Sequence, residues 1–119
     1  TSGKVASVDD ESLMDAVTAV SGSGPAYVFH FIEALTAAGV TAGLPKETAA
    51  LLAMQTVMGA GALADASTDT PSKLREQVTS PNGTTAAALE VLMGGDRLKT
   101  LVGEAVEAAR KRSVELGKA

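Results

Sequence analysis

No cysteine occurs in the 119 residues, so disulfides, thiolate catalysis and cysteine-based metal sites are excluded together. Histidine is almost as scarce. His30 stands alone, which leaves little basis for any other kind of metal centre, and none is expected. Aromatic residues make up only 3% of a chain that is 45% hydrophobic, so the interior must be filled by alanine, valine, leucine and methionine. That composition favours helices that approach one another closely. An excess of positive charge is also missing: the formal net charge is -4, and most basic residues lie in the last quarter among acidic ones. Nothing here resembles a phosphate-backbone footprint, and no nucleic-acid partner is expected.

Strand alternation is absent throughout, and no internal repeat is evident. The chain has the length of one ordinary domain, enough to bury roughly two thirds of its unfolded surface. Residues 1–8 read as a linker and residues 9–119 as one helical domain. Lacking a basic start, an apolar core and an initial methionine, the first ten residues do not resemble a secretory signal, which suits a cytoplasmic piece of something longer.

Asp9 or Asp10 can cap a first helix over Ser12 to Val20, because a carboxylate there accepts free amide protons. Ser21, Gly22, Ser23 and Gly24 should break it. Pro25 suits the first turn of a second helix, Ala26 to Ala38, with Gly39 and Gly43 marking its end. Tyr27, Val28, Phe29, Phe31, Ile32 and Leu35 surround the axis of that helix, so it must be buried on several faces. A membrane span is the rival, but the run is shorter than the ~20 residues a bilayer requires and carries His30 and Glu33. Pro45 opens a third helix, Lys46 to Ala66, again apolar all round and dotted with Gly59, Ala60, Gly61 and Ala62. Two such helices exceed what one small domain can enclose, so a second copy of the chain is expected to cover them.

Thr70 and Pro71 signal a short helix ending near Val78, and Thr79 to Gly83 form a turn cluster. A fifth helix, Thr84 to Met93, stops at Gly94 and Gly95. The last, Arg97 to Leu116, is amphipathic, with Leu98, Leu101, Val102, Ala105, Val106 and Ala109 on one face. Glu107 and Lys111 are spaced to form a weak solvated pair, and Arg110, Lys111 and Arg112 read as a solvated helix end favoured by the dipole.

The segment Ser80, Pro81, Asn82, Gly83, Thr84, Thr85 sets three hydroxyls and a glycine turn at a helix start. Unpaired first-turn amides and the helix dipole stabilise an anion there without lysine or arginine, and a small carboxylate would fit. The plainer alternative is that Ser80 and Thr84 merely cap the helix. Other candidates carry less. His30 on an apolar helix is more simply a core residue satisfied by one hydrogen bond than a catalyst. Asn82-Gly83-Thr84 spells a glycosylation acceptor that has no consequence without secretion. Gly59, Gly61 and Ala64 satisfy a G-x-G-x-x-A string but lie inside a helical run with no strand before it, and Gly22 and Gly24 are followed by Tyr27 where a third glycine should stand. No dinucleotide site is expected within the chain.

The run from Asp15 through Ser21-Gly22-Ser23-Gly24-Pro25-Ala26-Tyr27, together with Leu74-Arg75-Glu76-Gln77-Val78-Thr79-Ser80-Pro81-Asn82-Gly83-Thr84-Thr85 and the later Gly94-Gly95, resembles the pyrroline-5-carboxylate reductases. The likeness extends in order over essentially the whole chain. It implies an all-α dimerisation domain similar to the C-terminal domain of 6-phosphogluconate dehydrogenase, its long helices interlocked with those of a second subunit. It implies a reductase of the cyclic imine pyrroline-5-carboxylate to proline, with NADPH or NADH bound mainly by an N-terminal domain that this chain does not include. It implies too that residues 1–8 are the linker from that nucleotide-binding domain and that residues 9–119 serve dimerisation and substrate binding. By the same resemblance Ser80, Gly83 and Thr84 hold the substrate carboxylate, and the Thr85 hydroxyl lies near the ring nitrogen as the catalytic group. Val78 and Pro25 wall the pocket near substrate and nicotinamide. The partners implied are a second copy, possible higher oligomers and the small substrate, with no membrane. One departure stands out: the family commonly has two glycines after the proline of this loop, where this chain has Asn82 and then Gly83. Asparagine tolerates left-handed backbone angles, so the turn can survive. A free-standing helical oligomerisation or anion-binding module remains the alternative, as does the helical domain of another β-hydroxyacid-type dehydrogenase.

Overall fold

The computed structural model describes residues 10–118, all-helical among those residues as expected. The expected linker and Asp9 lie outside them. Residues 10–23 with 71–118 form one compact unit, and residues 24–70 form another.

The smaller unit is an αα-hairpin of α2 (Gly24–Thr41) and α3 (Lys46–Ala66). Pro25 lies in the first turn of α2, where its missing N–H costs nothing. The helix runs past Gly39 and ends on Gly43, whose φ of 113° only glycine adopts freely. There Gly43 N–H donates to Val40 O at 2.9 Å and Leu44 N–H to Gly39 O at 3.1 Å, the two bonds of a Schellman motif. Gly39 is therefore not the stop signal expected of it. Its bare Cα admits α3: a Cβ at Gly39 would stand 3.1 Å from the Ala49 Cβ. Ala49 and Ala53, at 3% and 2% exposure, form the buried seam of this hairpin.

Little else in the hairpin is covered. Phe29, Leu51 and Met58 are each 59–65% exposed, and Val28, Phe31, Leu52 and Met54 about half exposed. The expected burial on several faces is thus not achieved by one copy of the chain. Among the described residues α3, and not α2, is the helix long and apolar enough to cross a bilayer.

In the other unit a 3₁₀ turn, Glu11–Leu13, leads into α1 (Met14–Val17) and then a π-helical turn, Thr18–Gly22. Leu13 N–H donates to the backbone oxygen of Asp10 at 3.0 Å. The serine and glycine cluster ends the first helix as expected, at Gly22, with Ser23 between it and α2, but through a wider turn: Ser23 N–H reaches Thr18 O at 2.9 Å, and the Ser21 hydroxyl donates to Val17 O at 2.9 Å. The fully buried Ala19 sits in this turn, where it faces α6 (Arg97–Gly117). α4 (Pro71–Gln77) and α5 (Thr84–Met93) complete the unit, with α5 packed on α6. Between them Gly95 (φ 63°) and Asp96 (φ 54°) reverse the chain through two left-handed residues. Along the apolar stripe of α6, Val106 and Ala109 are half-buried, whereas Leu98, Leu101 and Val102 remain 43–63% exposed.

Candidate anion site at the start of α5

Ser80 to Gly83 form a tight turn closed by Gly83 N–H donating to Ser80 O at 3.1 Å. Pro81 occupies the second position and Asn82, with φ 60°, the third, the residue pattern of a type II turn. The departure from two glycines therefore falls on a left-handed position that asparagine tolerates. Upstream, the Thr79 hydroxyl donates to Arg75 O at 2.6 Å, which ties the segment to the end of α4 and turns that hydroxyl away from other work. Val78, 64% exposed, and Ser80, also exposed, belong to the same connection.

Gly83 is the N-cap of α5, with extended backbone (φ −88°, ψ −175°) and no side-chain cap. Neither Ser80 nor Thr84 caps the helix, so the simple capping alternative does not hold. Nothing in its backbone angles demands glycine at 83. Space does: a Cβ there would lie 2.7 Å from the Ser80 hydroxyl and 3.2 Å from the Ser80 carbonyl oxygen. Because the first α5 bond runs from Ala87 N–H to Gly83 O at 3.2 Å, the amides of Thr84, Thr85 and Ala86 precede the hydrogen-bonded ladder. These amides, the Ser80 and Thr84 hydroxyls on exposed residues and the half-buried Thr85 form a set of donors free of any cationic side chain. Such a set suits a small carboxylate.

Pro25 belongs to the α2–α3 hairpin, exposed in the first turn of α2. His30 is not a core residue: it is 82% exposed, its Nδ1 3.1 Å from Glu33 Oε1. The Gly59, Gly61 and Ala64 string lies within α3, with no strand-turn-helix around it. No group of three or more histidine, aspartate or glutamate side chains able to hold a metal is found among the described residues.

Two features escaped the sequence. Glu107 pairs with Arg110, not Lys111: Arg110 Nε and Nη2 donate to its two oxygens at 2.7 and 2.9 Å. That bidentate bond holds the Glu107 carboxyl below its ordinary value and raises Arg110. Both are exposed on α6, and the pair is structural. The second is a hydrogen bond from Ser113 Oγ to Asp15 Oδ1 at 2.6 Å, between residues 98 apart in sequence.

Residues 11–116 match the family model for pyrroline-5-carboxylate reductase dimerisation. The chain is 53% identical over 110 residues to the pyrroline-5-carboxylate reductase of Synechocystis, covering 91% of this chain and 40% of that protein. Among solved structures, the reductase of Coxiella burnetii superposes with a TM-score of 0.87 at 46% identity, over 92% of this chain and 40% of that one. The Plasmodium falciparum pyrroline carboxylate reductase, solved with NADP bound, gives 0.84 at 41% identity, over 91% and 41%. The chain thus spans about 40% of the length of the relatives it matches. With a family model covering nearly all of the described residues and solved relatives sharing the fold, the chain belongs to the pyrroline-5-carboxylate reductase dimerisation family.

Proposed function

We propose that this chain supplies the dimerisation and substrate-binding part of an enzyme that reduces 1-pyrroline-5-carboxylate to L-proline in the cytoplasm. The observation that carries the reading is the start of α5, where Gly83 caps without a side chain and the amides of Thr84, Thr85 and Ala86 precede the first α5 bond. A substrate carboxylate accepts from those amides and from the Ser80 and Thr84 hydroxyls. Dipoles supply the attraction, and rigidity supplies the orientation. Thr85, one residue further on, carries a hydroxyl that can orient or help protonate the imine nitrogen as it becomes an amine. Val78, in the connection that leads into the turn, walls the carboxylate site.

Bound NADPH or NADH supplies the hydride. The residues described here fit the carboxylate end of this chemistry and not the dinucleotide, since the one glycine string of suitable spacing is helical throughout. A nucleotide-binding domain outside this chain completes the enzyme, and the chain alone is catalytically inert. Dimerisation belongs to the same proposal: Phe29, Leu51 and Met58 need a cover that one copy does not provide. A second copy, not a membrane or a nucleic acid, is the partner proposed.

The test is proline formation by the chain joined to a matching nucleotide-binding domain. Thr85→Ala should lower kcat by roughly one to two orders of magnitude with the fold intact. Unchanged kinetics would remove Thr85 from the mechanism, and turnover by the unjoined chain would overturn the division of labour.

A further inference from the structure

Asn82 is the only asparagine in the chain, it is exposed at the tip of a turn, and the residue after it is glycine. We propose that Asn82-Gly83 is a site of spontaneous deamidation through a cyclic imide. The reaction needs a carboxamide free to rotate, a following backbone nitrogen unhindered by its own side chain, and water. All three meet here, at a side chain, that of Asn82, to which the proposed function gives no role.

The Gly83 nitrogen loses its proton and attacks Asn82 Cγ. A new N–Cγ bond closes a five-membered succinimide, the Cγ–Nδ2 bond breaks, and ammonia leaves with the proton. Water then adds to either carbonyl of the ring and opens it, leaving aspartate at 82 or isoaspartate, in which the backbone runs through Cγ. No electrons change hands, and water is the only co-reactant.

One contact opposes the reaction. Gly83 N–H donates to Ser80 O at 3.1 Å, and that bond must open before the nitrogen can turn on its neighbour. Loop openings run on nanosecond to microsecond scales, far faster than the covalent steps, so the turn slows the reaction without preventing it. The product sets a carboxylate one residue before the N-cap of α5. Its effect on substrate rests on the function proposed above, whereas the modification itself does not.

Incubation of the intact protein in mildly alkaline buffer at physiological temperature, followed by tryptic mapping, tests the proposal. The peptide covering residues 76–97 should gain about one dalton with time, resolve into two products, and form them faster in alkaline than in mildly acidic buffer. Asn82→Gly, which suits φ 60°, should abolish the gain while keeping the turn. Persistence of the gain in that variant would assign it to Gln77 and overturn the proposal. So would an unchanged mass in the folded protein after a synthetic peptide of the same residues has fully converted.

Discussion

Ser113 Oγ donates to Asp15 Oδ1 at 2.6 Å, so a single hydrogen bond joins α1 to the last turns of α6 across 98 residues of sequence. Both side chains are half-buried, and the acceptor is a carboxylate. A bond to a charged partner in that setting contributes more than a solvent-exposed one, and removing the donor leaves the carboxylate partly desolvated. Ser113→Ala should therefore lower the unfolding free energy by about 1–2 kcal/mol. Urea denaturation of the wild-type and variant proteins measures it. A double-mutant cycle with Asp15→Asn should return a coupling term, and strict additivity would show that the contact carries no stability of its own.

The other α6 pair should behave differently. Glu107 is held below its ordinary value by the Arg110 hydrogen bond, so the folded state gives up its proton more readily than the unfolded chain does. Its stabilisation is present above the unfolded value and fades as pH falls through the depressed one. Water surrounds both groups, so the effect is small and screened by salt. Glu107→Gln should flatten the acid limb of the stability curve slightly at low ionic strength and leave the alkaline limb unchanged. An effect that persists at high salt would contradict this.

Much of the helical frame was legible because its punctuation is local. Pro45 before Lys46 and Gly94 after Met93 delimit α3 and α5 as the structure has them. The helix start at Thr84 was equally open to view, since it depends only on the turn before it. What escaped depended on neighbours. Gly39 looks like a terminator until α3 lies against it, and the Ser21 to Gly24 cluster marks a break without revealing that a π turn leads into it. Glu107 has both Arg110 and Lys111 within helical reach, and the guanidinium prevails because its fork meets both carboxylate oxygens. Apolar pattern also announced burial for His30 and the rest of α2, while nothing among the described residues of one copy provides it.

The tight approach at Gly83 makes a directional prediction. Its Cβ-free position leaves the Ser80 hydroxyl 2.7 Å from where a methyl would sit, so Gly83→Ala must displace Ser80 or tilt the start of α5. Helix propensity would favour alanine only inside the helix, and Gly83 is the cap. In the joined enzyme the variant should raise KM by on the order of tenfold with a smaller change in kcat, because it misplaces the carboxylate donors. Ser80→Ala in the same chain removes the closest clash but also a proposed carboxylate donor, so KM should stay raised. A KM that stays at the wild-type value in Gly83→Ala would detach the turn from substrate binding.

Gly61 separates the proposed dimer from a helix that merely tolerates solvent. It lies in an apolar groove of about 480 Å³ that Tyr27, Val28, Phe31 and Val57 also line, and a Cβ built on it meets nothing within 4 Å. Within one copy, then, Gly61→Ala only gains helix propensity and should stabilise the subunit by about 1 kcal/mol. A second copy seated in the groove reverses the sign, because the methyl occupies space that its side chains need. The expected result is weaker association, seen as a larger dimer dissociation constant by analytical ultracentrifugation and as a Tm that depends more steeply on protein concentration. Gly61→Leu should push the equilibrium to monomer. If instead both variants raise Tm equally at every concentration, this groove is not where the copies meet, and recovery of the wild-type chain with lipid vesicles would point to α3 as a bilayer helix.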